Sequence, residues 1–71
     1  MSDNDRAAVT RLLDEAADDI GMFRLFSANA TAERHRWARK HDTLSEVDLA
    51  LSNLESAASF LRDATHILRG A

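Results

Sequence analysis

Residues able to do chemistry gather in three places along this chain. The densest is Glu33-Arg34-His35-Arg36-Trp37-Ala38-Arg39-Lys40-His41, where four cations surround an aromatic ring. Such a grouping could hold a polyanion, with Arg34, Arg36, Arg39 and Lys40 on phosphates and the tryptophan stacked on a base. The competing reading is a solvated tip of charge pairs. Glu33, Asp42, Glu46 and Asp48 balance the four cations locally, and Trp37 falls in a heptad row that expects burial. We rank nucleic-acid binding second on that ground.

The next place is Asp14, Glu15, Asp18 and Asp19, four carboxylates within about a turn and a half of helix. They could dock a basic partner, or simply form a solvated face. The third is Asp63 and His66, three residues apart on one helical face, toward which an antiparallel register would bring Asp18 and Asp19. Metal sites in helical bundles use inward carboxylates and histidines, whereas Asp63 and His66 fall on outward heptad positions, so no metal site is expected. Catalysis has less support still. The chain has no cysteine, no glycine-rich phosphate loop and no HExxH pattern, and Ser45, Ser52 and Ser59 share an outer row with His66 as a ridge or plain surface. Neither an enzyme nor a cofactor is expected.

The elements that must position these groups are helices. Val9, Ala16, Phe23, Ala30 and Trp37 recur every seven residues, and Leu44, Val47, Leu51, Leu54, Ala58, Leu61, Thr65 and Leu68 alternate in steps of three and four. The absence of proline and the presence of only two glycines suit helix throughout. The patterning predicts a single helical domain over residues 1–71: a helix over about 4–40, a turn at 41–43 and a helix over 44–69, paired antiparallel. Thr43 with Glu46 reads as a capping box, and Arg69 with Gly70 as a helix end. Gly21 and the run Ser27, Asn29 and Thr31 invite a break, but the heptad keeps phase through both, so the first helix is taken as unbroken.

These helices would differ in length, leaving the first three turns without a partner inside the hairpin. The second helix is also apolar over a wide arc, since Ala50, Ala57 and Ala64 flank its heptad on one side and Phe60 and Ile67 on the other. Two hairpins stacked as a four-helix bundle would cover both features, so the expected fold is all-α, a hairpin that homodimerises. The runner-up is a three-helix bundle with a break near Gly21. Val9, Leu12, Leu13, Phe60, Ala64, Ile67 and Leu68 are the expected self-association residues.

Composition narrows the class further. In 71 residues a lone core rarely supplies more than about 3–5 kcal/mol, and without cysteines or a zinc-ligand pattern oligomerisation is the common remaining support. The net charge of −3 is carried at the start, where Asp3, Asp5, Asp14, Glu15, Asp18 and Asp19 outnumber Arg6 and Arg11, and an acidic start repels nucleic acid. A polar beginning and no long apolar run point to a cytoplasmic protein with no membrane span. Arginine in preference to lysine, with many alanines, hints at a bacterial or phage source. The expected function is a small non-enzymatic protein-interaction module acting as an assembly factor, adaptor or inhibitor, with itself or another protein as partner. The alternative is a small nucleic-acid-binding regulator that uses the basic tip.

Overall fold

A computed structural model describes residues 1–32 and 40–71 as two α-helices, α1 over Asp3–Thr31 and α2 over Lys40–Gly70. Helix α1 begins where the sequence supplies a cap. Ser2 is extended (φ −73°, ψ 164°), and its hydroxyl oxygen accepts the Asp5 N–H at 3.1 Å, while Asp3 and Asp5 place negative charge at the positive end of the helix dipole. The helix runs through Gly21 without a break or a positive φ. It ends instead in the run of Ser27, Asn29 and Thr31. The Thr31 hydroxyl sits 3.2 Å from the Ser27 carbonyl and 3.3 Å from that of Ala28, and Ala32 turns extended (φ −64°, ψ 149°) with its N–H donated to Asn29 O. Hydroxyl and amide side chains compete for backbone groups in this way, which is why they mark helix ends.

Two expectations are corrected here. The first helix stops at Thr31 and not near residue 40, and His41, Asp42 and Thr43, expected as the turn, belong to α2. Thr43 is therefore inside the helix, not at its cap, and Gly70 is its last residue with a negative φ, not a left-handed stop. In α2 the Ser45 hydroxyl donates to His41 O at 3.0 Å, and Thr65 donates to Leu61 O at 2.9 Å, both back to the preceding turn.

The helices pack antiparallel as a hairpin. At one end Val9 and Leu12 of α1 form a cluster with Ala64 of α2, against which Phe60 and Ile67 pack. At the other end the Asn29 amide donates to a Glu46 carboxylate oxygen at 3.5 Å. With 29 and 31 residues the helices match in length, so the overhang expected at the start of α1 does not exist. The result is a rod of 53 × 14 × 11 Å, close to the ~46 Å that 31 helical residues span.

On α1 the expected row is the one that faces α2. Val9, Leu12 and Ala16 are buried and Phe23 and Ala30 half-buried. On α2 it is not. Ala50, Ala57 and Ala64 are 2–5 % exposed, with Thr43, Glu46, Asn53, Phe60 and Ile67 half-buried between them, whereas the leucine row lies outside the contact. Helix α2 therefore carries two rows of the same three-four spacing, one residue out of step and about 100° apart around its axis. The small row is chosen because α1 presents bulk: Val9, Leu12 and Phe23 need small side chains opposite if the axes are to approach closely.

Candidate functional site

The rejected row is the most conspicuous surface of the molecule. Leu44, Val47, Leu51, Leu54, Leu61 and Leu68 are 42–50 % exposed, and half-buried Ala58 and exposed Thr65 complete the steps between them. Thr65 does not interrupt its apolar character. Its hydroxyl is already bonded to Leu61 O, so only its methyl needs a partner and little polar desolvation is left to offset. Along the middle of the row Leu51, Leu54 and Ala58 line an open groove with Glu55 and Arg62. Met22, Leu25 and Leu49 are exposed as well but do not continue the three-four spacing.

Burial separates the residues expected to mediate self-association into two groups. Val9, Leu12, Phe60, Ala64 and Ile67 pack inside the hairpin, because helices of matched length leave none of them without a neighbour. Leu13 and Leu68 are exposed. The signal that could have separated them was present in the sequence as the second heptad, Ala50, Ala57 and Ala64 with Asn53, Phe60 and Ile67. Its small residues read as a flank of the leucine row and not as a seam in their own right.

The acidic group is divided too. Asp14, Glu15 and Asp18 are exposed and line one open surface with Ala7, Thr10 and Arg11. Asp19 is half-buried, and its Oδ2 is shielded from solvent with no hydrogen-bond partner. Its half-burial sets Asp19 apart from the exposed face that the other three form.

His66 does not approach Asp18 and Asp19. It lines a surface groove with Arg62, Thr65 and Arg69. Among the described residues no three histidine or carboxylate side chains gather with metal-ligand geometry. Arg34, Arg36 and Arg39 of the basic cluster lie outside the described residues, and Lys40 is the first residue of α2. Beside them, His41 Nε2 and Asp42 Oδ1 meet at 3.0 Å on an exposed surface, a pair that contributes little to stability. Among the described residues no helix is long and apolar enough to cross a membrane.

Comparison of the chain with protein-family models, with curated proteins and with solved structures gives no match. The faces themselves are what bear on function.

Proposed function

We propose that this chain is a small non-enzymatic protein-interaction module, an assembly factor, adaptor or inhibitor, that works by association through the leucine face of α2. The observation that carries the reading is the unused heptad. A three-four row of large apolar side chains over most of a 31-residue helix is the pattern by which helices recognise one another, and the hairpin does not use it. The surface area supports the same reading. The chain exposes 5370 Å², whereas a compact folded chain of 7.9 kDa would expose about 4,400 Å².

The test is a doubly charged variant, Leu54→Glu with Leu61→Glu, compared with the parent by sedimentation, alone and mixed with extract of the source cells. The variant should keep its helical circular dichroism and lose the associations that the parent makes. If it keeps them all, the leucine face is not the binding surface.

A further inference from the structure

We infer that the occupant of the leucine face is a second copy of this chain, laid antiparallel along α2 across a two-fold axis near Ala58. The inference rests on the reading above, that this face is the binding surface, and adds the identity and direction of the partner.

Charge complementarity decides the direction. Val47, Leu54, Leu61 and Leu68 are each followed directly by a charged, exposed residue: Asp48, Glu55, Arg62 and Arg69. These four form the outer flank of the row, the side away from Ala50, Ala57 and Ala64. The flank is acidic over its first half and basic over its second. A parallel copy would turn this flank toward the partner's Ala50, Ala57 and Ala64 side, where none of the four charges finds a counter-charge. An antiparallel copy sets Asp48 and Glu55 beside the partner's Arg69 and Arg62, and the two-fold repeats the match at the other end. The flank is thus self-complementary in one direction only. A foreign helix would need no such symmetry in this chain.

Size and shape agree with a second copy. The surplus of roughly 1,000 Å² per chain over a compact monomer compares with the ~800 Å² that each partner contributes to an interface of standard size. Ala58 is the small residue at the middle of the row, where two crossing helices come closest. By helical phase Leu13 and half-buried Ile20 of α1 lie on the same side of the hairpin as the leucine row. Stacking two hairpins on this side gives a four-helix layer in which α2 meets α2 and α1 meets α1.

The chain has no cysteine, so introduced thiols report the arrangement directly. Two single variants, Leu51→Cys and Thr65→Cys, which lie opposite each other across a two-fold at Ala58, are each oxidised alone and then after being unfolded and refolded together. Light scattering on the parent should give twice the chain mass, and the mixed pair should form a disulfide-linked heterodimer at least tenfold more than either variant links to itself. Preferred self-linking of each variant would mean a parallel pair and would overturn the proposal. A parent that remains a monomer at millimolar concentration with its helicity intact would also overturn it, while the binding role of the leucine face would then stand or fall on the extract experiment. If the parent dimerises and Leu54→Glu with Leu61→Glu does not weaken the dimer, the proposal and the reading beneath it fall together. The expected result for that variant is at least a hundredfold weaker self-association.

Discussion

The two rows of α2 differ by one residue in position and by almost everything in environment. Ala50, Ala57 and Ala64 are sealed against α1, while Leu44, Val47, Leu51, Leu54, Leu61 and Leu68 face outward. The larger side chains are the ones left exposed, the reverse of what hydrophobic burial within one chain would choose. The contrast teaches that the hairpin closes its own seam with small residues and leaves the large ones outside it. Small residues bring two helices of the same chain close together, and on the reading proposed above the large ones fill the wider space between two hairpins.

That comparison can be broken most sharply at the alanine row. Ala57→Glu puts an unpaired charge where 2 % of the residue is exposed, and the cost should be at least ~3 kcal/mol, enough to unfold most of a domain of this size. Loss of helical circular dichroism at 25 °C is the readout. Helicity retained with an unchanged melting midpoint would show that α2 does not meet α1 along this row. Leu12→Ala removes bulk from the facing side of the same seam, and a loss of about 2–3 kcal/mol in denaturant titration is expected.

A substitution on the other row should behave differently. At dilutions where the chain is monomeric, Leu51→Gln should change stability by no more than ~0.5 kcal/mol, because the side chain is half in water already. At high concentration the same variant should melt below the parent, since an association that favours the folded state makes melting concentration-dependent. A large loss at high dilution would place Leu51 inside the monomer's own core. The smallest effect belongs to the flank. Glu55→Arg should weaken self-association only several-fold, as exposed ion pairs contribute about 0.2–1 kcal/mol, and adding Arg62→Glu in the same chain should restore it.

Gly21 offers a control that touches neither row. It is helical and exposed, and a Cβ there would meet nothing within 4 Å. Gly21→Ala should therefore raise stability by up to ~1 kcal/mol without altering association, measured by the same melts.

Much of this molecule was legible in the sequence. The all-α class followed from three-four periodicity and from the lack of proline, the continuity of α1 through Gly21 from a heptad that keeps phase, and the start of α1 near residue 4 from the polar, acidic residues there. Helix ends were harder to read. Thr43 with Glu46 has the composition of a capping box and yet lies inside α2, because local capping chemistry states where a helix could start and not where it must. Thr31, which ends α1, had looked tolerable in the middle of a helix whose hydrophobic phase continued past it. A helix carried on to residue 40 shifts the turn, makes the helices unequal and leaves Val9 and Leu12 uncovered, whereas in the hairpin they are its core.

By itself the sequence determined that α2 has two rows of three-four spacing and that the flank of one changes sign along its length. Those are properties of spacing and charge, which a one-dimensional string contains in full. Only the tertiary structure decided which row the chain keeps for itself. Both rows have the same period, so periodicity cannot rank them, and the choice came from matching the bulk of Val9, Leu12 and Phe23 on α1 against the small face of α2.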